Sequence, residues 1–249
     1  MDILETDAYD RRQRRNTSCA LLFCLTPFFL ASAVYFYVWT PGSPASITLA
    51  GVKSAPALLL AATVLSWNGG QSAPGVVGGL VLSAVGDCCL VWPELFLHGM
   101  AAFALAHLLY SLTFLSSRYE PYSSSSWWTG PLYLILVLIT GGVYIYLFPF
   151  LRKNPNSELL TPGVGVYVAL LSIMAILAIR TRHAFTLLGG LCFMLSDFML
   201  ALQEFKVTAP IEHSNTAIMV TYYLAQLLIS VGAMRAVENK RDFAKWKRS

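Results

Sequence analysis

Charge is the scarcest thing in this sequence. Only 12% of the residues are Asp, Glu, Lys or Arg, against 56% apolar; a soluble domain carries about 25% charged residues. A globule of 249 residues with so little polar surface could not cover its own exterior, and a disordered chain would be far less apolar. Cysteine is sparse as well. Cys19, Cys24, Cys88, Cys89 and Cys192 all lie inside apolar runs, and none sits in a loop where a disulfide or a CxxC metal site forms. They read as reduced packing residues. The common catalytic signatures are also missing. G-x-S-x-G, H-E-x-x-H and the Walker lysine loop are all absent, which argues against a serine hydrolase or a zincin. No metal and no cofactor is expected.

What is present is apolar and continuous. Mean hydropathy is +0.60, and the apolar runs are long enough to cross a bilayer. We read an all-α polytopic membrane protein of eight transmembrane helices, at 19–38, 47–65, 75–92, 95–115, 128–148, 160–179, 184–202 and 216–236. Residues 1–18 form an N-terminal tail, 19–236 the membrane domain and 237–249 a basic C-terminal tail. Breakers separate the runs: Pro41, Gly42 and Pro44; Asn68, Gly69, Gly70 and Pro74; Pro93; Pro149 and Pro155. Pro162, Gly163 and Gly165 interrupt the start of the sixth helix. The tract Ser123 to Ser126 reads as a short loop.

The few charges are segregated. Arg11, Arg12, Arg14 and Arg15 precede the first span; Lys240, Arg241, Lys245, Lys247 and Arg248 follow the last. Such clusters beside spans read as a topology signal near anionic headgroups, and no nucleic-acid partner is expected. The loops are balanced, with Arg118, Arg180 and Arg182 on one side and Arg152, Lys153 and Lys206 on the other. The tails therefore decide the orientation, with both termini cytosolic. The sequon at Asn16 then faces the cytosol and goes unused. Lys245 and Lys247, third and fifth from the C-terminus, resemble a dilysine retrieval signal of the endoplasmic reticulum. The first span lacks a small-residue cleavage site and reads as retained.

Two stretches echo one another. Residues 79–90 and 189–200 both read G-x6-[GS]-D-x-x-L, and Ala106-His107-Leu-Leu-Tyr-Ser111 aligns with Ala225-Gln226-Leu-Leu-Ile-Ser230. The pattern implies two four-helix halves that run the same way through the membrane, a parallel repeat. Asp87 and Asp197 then lie at nearly one depth. Gly75, Gly79, Ser83 and Asp87 recur every four residues, so a small face leads to the acid and allows close packing.

A carboxylate at membrane depth costs roughly 2.5–3.5 kcal/mol on insertion scales. Two of them can simply glue helices together, or they can line a water-accessible pocket. Close carboxyls in such a pocket cannot both carry charge, so one keeps a proton and the pair shares it, an arrangement suited to acid/base work. Lys53, His107, Tyr222, Tyr223 and Gln226 fall at depths from which they reach the same region. His98 and His107, nine residues apart, point to different faces and make a poor metal pair. Intramembrane acids and parallel repeats also suit a proton-coupled transporter, the alternative reading. A carrier needs helices broken at the midplane, and the start of the sixth helix is the only candidate.

Ser83-Ala-Val-Gly86-Asp87, Ala106-His107-x-x-Tyr110, Leu195-Ser196-Asp197 and Tyr222-Tyr223-x-Ala225-Gln226 resemble the motifs of the lysoplasmalogenase family, the transmembrane protein 86 group. The likeness spans residues 30 to 235 and is greatest to the vertebrate branch. It implies an eight-span enzyme that cleaves the vinyl ether bond of lysoplasmalogens to a fatty aldehyde and glycerophosphocholine or glycerophosphoethanolamine. By the same resemblance Asp87 and Asp197 are catalytic; depth and motif together make Lys53, Ser83, His107, Tyr110, Ser196, Tyr222, Tyr223 and Gln226 the expected lining of the substrate site. The chemistry suits two carboxyls. Protonation of the β carbon yields an oxocarbenium ion, water adds, and the hemiacetal collapses, much as in glycoside hydrolysis. Lys53 or a tyrosine would hold the phosphate headgroup. The partners implied are a lysophospholipid and the lipid bilayer; a homodimer is compatible with such a bundle, and nothing demands it.

Overall fold

A computed structural model describes residues 3–40, 42–67, 73–116, 119, 129–207 and 213–246, with side chains between 18 and 236. Pro41, Asn68 to Gly70, Arg118, the serine tract at 123–126 and residues 247–249 lie outside the described residues. Among those described are eight α-helices: α1 (Ile3–Val38), α2 (Ile47–Ser66), α3 (Pro74–Cys89), α4 (Phe96–Leu115), α5 (Thr129–Arg152), α6 (Ser157–Arg180), α7 (Ala184–Glu204) and α8 (Ser214–Trp246). Seven of them carry stretches long and apolar enough to cross a membrane. The protein is an all-α polytopic membrane protein.

The exception is α3. The sequence predicts a helix to residue 92, but the helix stops at Cys89 after 16 residues. Pro93 is the cause: it pushes Trp92 out of the helical region, to φ −107° and ψ 120°. A helix of this length rises about 24 Å, short of a hydrocarbon core of about 30 Å. Asp87 therefore lies in the last turn of α3, with the chain turning away immediately beyond it.

Other boundaries move outward. Pro149 was expected to end the fifth helix and Pro162 to weaken the sixth, yet both lie inside α5 and α6. Each costs one backbone hydrogen bond, and in membrane helices neighbouring groups re-satisfy the freed carbonyl. The expected tails also continue as helix, α1 from Ile3 and α8 to Trp246, while their apolar stretches run only Ser18–Val38 and Ser214–Ala236. Glu, Arg, Gln and Lys in these segments are good helix formers, so the backbone propagates past the apolar boundary.

Water cannot tolerate the exterior this leaves. Leu134, Leu138 and Ile145 of α5 are 61%, 64% and 73% exposed, which only a hydrocarbon solvent permits. Sheltered inside is α8, the most buried of the spans, while α1 and α5 are the least. The main packing pairs run α1 on α2, α2 on α3 and α3 on α4, then α5 on α6, α6 on α7 and α7 on α8; α4 lies on α6, and α8 on α2.

With apolar lipid outside, helix association depends on close packing, which small residues allow. Gly79 faces the ring of Tyr110 so closely that no Cβ fits. At Gly189 a Cβ would stand 2.8 Å from Ile229 Cγ1 and 3.1 Å from the Ala225 carbonyl oxygen. Gly141 of α5, by contrast, has nothing within 4 Å. Gly79→Val and Gly189→Val should each destabilise the bundle by about 1–3 kcal/mol through overpacking. Gly141→Val should not lower the unfolding temperature in detergent.

Candidate functional site

The small face of α3 does what its spacing predicts. Gly79, Ser83 and Asp87 are all buried, against α4 and α8. Asp87 is 2% exposed, and its Oδ2 accepts a hydrogen bond of 2.6 Å from the Tyr222 hydroxyl on α8. On α2, Ser46 caps the first turn by accepting from the Leu49 amide at 3.1 Å. Two turns in, Lys53 stands within Coulombic reach of Asp87. Tyr223 holds this stretch in place, donating from its hydroxyl to the Lys53 carbonyl at 2.8 Å. The Tyr223 ring packs edge-on against Phe28, Tyr35 and Phe36 of α1, so Tyr223 supports Lys53 rather than lining the cavity described below.

A second group sits alongside. The Tyr110 hydroxyl donates to Gln226 Oε1 at 2.7 Å and lies 3.5 Å from Ser83 Oγ. All three residues are fully buried, and Gln226 Nε2 makes no hydrogen bond of good geometry among the described residues. Ser196 falls elsewhere. Its hydroxyl donates to the Ile218 carbonyl at 3.0 Å and staples α7 to α8.

The third group surrounds Asp197. Tyr167 of α6 donates to its Oδ2 at 2.7 Å, and His107 Nε2 stands 3.2 Å from the same oxygen and 3.0 Å from the Tyr167 hydroxyl. With Tyr167 donating to the carboxylate, its oxygen is free to accept, so a hydrogen on Nε2 satisfies both contacts. His107 Nδ1 is buried without a partner among the described residues. A bare acceptor there costs less than a buried N–H would, which agrees with the hydrogen on Nε2. Both bonds to Asp197 fall on Oδ2, leaving Oδ1 with none among the described residues.

Asp197 and Tyr167 form part of the wall of a cavity of about 450 Å³ among α4, α5, α6 and α7. The remaining walls are almost wholly apolar, with Phe103, Val143, Val168 and Leu195 among them. Asp87 does not line it.

The sequence led us to expect two acids sharing one proton, but no hydrogen bond joins them among the described residues. Each has its own donors, and an aromatic layer stands between those donors. The ring of Phe193, fully buried, packs 5.6 Å from Tyr222 on one side and 4.7 Å from His107 on the other. Phe103 lies against Tyr222 and Phe193 at 5.8 and 6.4 Å and also faces the cavity. Sequence reasoning missed Tyr167, Phe193 and Phe103. A tyrosine at mid-span is a usable signal for the first; nothing in the apolar runs distinguishes the two phenylalanines from packing residues.

Fold and site together define a polytopic membrane protein with two acids held among its spans, one of them in the wall of an apolar cavity. Residues 48–233 match the YhhN family, and the chain belongs to it. It is 38% identical to human lysoplasmalogenase TMEM86B over 88% of this chain and 89% of that protein. To human lysoplasmalogenase TMEM86A it is 35% identical, over 86% of this chain and 90% of the relative. A lysoplasmalogenase of Mycobacterium tuberculosis is 29% identical over 82% and 79%. No solved structure matches the chain.

Tyr110→Phe keeps the ring over Gly79 but strips Gln226 of its donor. It should cost about 1–3 kcal/mol, the penalty of an unsatisfied buried group. Ser196→Ala should cost less, about 0.5–1.5 kcal/mol for one neutral hydrogen bond. Thermal unfolding of the two variants in detergent ranks them.

Proposed function

We propose that this protein is a lysoplasmalogenase, hydrolysing the vinyl ether bond of a 1-alkenyl-glycerophospholipid with one chain. The observation that carries the reading is a carboxylate, Asp197, set into the wall of an apolar cavity with a tyrosine hydroxyl and an imidazole on one of its oxygens. Its relatives over most of the chain carry the same activity in their names.

The reaction needs a proton delivered to the β carbon, a negative neighbour for the oxocarbenium ion, and a base for the incoming water. Asp197 is proposed to meet the reacting carbons directly. Tyr167 and His107 fix its orientation and, by holding Oδ2, leave Oδ1 to exchange the proton with substrate and water. Asp87 is proposed as the second required acid. It lies one aromatic layer behind, beside Lys53 and bonded to Tyr222, so its access to the cavity depends on Phe103. Lys53 is proposed as the cation for the phosphate of the headgroup.

The parallel repeat belongs to the same proposal. Gly79 meets Tyr110 as Gly189 meets Ile229, the partners that the sequence echo aligns. Ala50, Ala57, Leu60, Ala61 and Val64 are buried on α2, and Val164, Leu171, Met174, Ala175 and Ala178 repeat that spacing on α6. The register sets Tyr167 in the place of Lys53. Each acid thus draws a partner from the opposite half, Asp87 from α8 and Asp197 from α4. We also propose cytosolic termini, residence in the endoplasmic reticulum, and kinship with the vertebrate branch.

Purified protein in detergent, given a lysoplasmalogen, should release a fatty aldehyde. A carrier makes no product there, and α6, the candidate for a broken helix, runs unbroken from Ser157 to Arg180. Asp197→Asn and Asp87→Asn should each lower kcat by about 10²–10⁴-fold, the worth of a positioned general acid or base. No aldehyde from the wild type, or wild-type rates from both variants, would overturn the assignment.

A further inference from the structure

The cavity beside Asp197 has a mouth. α5 packs on α6 and α6 on α7, but α5 and α7 do not pack extensively on one another. Ile139 of α5 and Leu191 and Leu195 of α7 line the cavity, yet they are 56%, 42% and 50% exposed. A side chain that is both cavity wall and outer surface marks an opening. All three lie within membrane-crossing stretches, so the opening faces hydrocarbon rather than water.

The geometry points to a lateral portal between α5 and α7 through which the aliphatic chain of a single-chain lipid passes from the bilayer to Asp197. The inference rests on the lysoplasmalogenase reading and deepens it by saying how the substrate reaches the site and where its chain lies.

Three features select an aliphatic chain over a polar solute. The Thr140 hydroxyl, one of few polar groups on the wall, is already spent on the carbonyls of Leu136 and Val137 at 3.0 and 3.2 Å. That leaves Tyr167 and Asp197 as the polar spot on an otherwise apolar surface. The cavity is also long. Along α7 it runs from Leu191 to Phe205, a rise of about 21 Å, comparable with one extended fatty chain. Phe96 and Phe205 close the far end with their rings edge to face at 6.0 Å. Finally, about 450 Å³ is of the order of one aliphatic chain, which suits a lysolipid. Asp197 lies six residues beyond Leu191 along α7, a rise of about 9 Å, and two beyond Leu195.

The test uses the full chain in phosphatidylcholine nanodiscs. The probe is a lysophospholipid with a saturated, ether-linked sixteen-carbon chain ending in a diazirine, which no vinyl ether hydrolase can cleave. Photolabel should concentrate on peptides covering 139–147 and 191–205 and be displaced by excess unlabelled lysophospholipid. Leu195→Trp, which fills the mouth from a lipid-facing position, should reduce that label by about tenfold, the scale of a lost binding contact. Leu134→Trp, on the exposed side of α5 away from the cavity, should leave it unchanged. Label spread evenly over the outer helices, or undiminished in Leu195→Trp, overturns the portal.

Turnover separates the two readings. Leu195→Trp should lower kcat/KM about tenfold for a sixteen-carbon lysoplasmalogen and less than about twofold for a four-carbon analogue, because only the long chain uses the mouth. Equal loss on both substrates overturns the portal and leaves the hydrolase standing. Absence of turnover in the wild type overturns the hydrolase, while the photolabel still decides the portal.

Discussion

An ionisable side chain inside a lipid-facing bundle has no water to fall back on, and this constraint orders the interior of the protein. A polar group at depth is costly unless it finds a partner on another helix or on its own backbone. Thr63, Ser172 and Ser230 take the cheap route and donate to carbonyls four residues back. Asp87 and Asp197 cannot, because a carboxylate needs donors. They obtain them from tyrosines on neighbouring helices, Tyr222 and Tyr167. A phenol supplies one strong hydrogen bond from the edge of a large apolar ring, so it reaches a buried carboxylate without importing a second charge.

The requirement also explains which helices lie at the centre. α8 brings Tyr222, Tyr223 and Gln226 to three different partners on α3, α2 and α4 within two turns. It can do so only if surrounded, and it is the most buried span. At mid-span α5 reaches another helix through the Tyr144 hydroxyl, which donates to the Thr161 carbonyl. It stays at the periphery, where its glycines at 141 and 142 face nothing within 4 Å. That looseness is what lets a cavity persist between α5 and the rest.

Scarcity made part of this legible in advance. With so few charges in the chain, an aspartate in an apolar run stands out against its surroundings, and the four-residue spacing of Gly79, Ser83 and Asp87 fixed the face it shares. The helices were legible for the same reason, but their ends were not. Proline reads as a stop because in water it exposes an unpaired carbonyl; at Pro149 and Pro162 the neighbouring spans remove that penalty and the helices continue. The pairing of the acids failed differently. Equal depth along α3 and α7 says nothing about what fills the space between two helices. Phe193, four residues before Asp197, occupies it. Tyr167 carried a signal, a tyrosine at mid-span, but its meaning depends on the carboxylate that the fold sets beside it.

The aromatic layer changes what two acids can do for one another. Carboxyls in contact are coupled: the charge of one sets the protonation of the other, and both titrate as a unit. Here Phe193 and Phe103 hold them apart, and each answers to its own neighbours. Asp87 has the Lys53 side chain within Coulombic reach and the Tyr222 hydroxyl on one oxygen. Asp197 has Tyr167 and His107 on one oxygen and lines an apolar cavity. In such a low-dielectric setting a positive carbon forming beside a carboxylate is strongly favoured. An oxocarbenium ion is such a carbon. Two sites built on similar sequence thus differ in what stands beside their acids, a lysine near Asp87 and a tyrosine and an imidazole on Asp197.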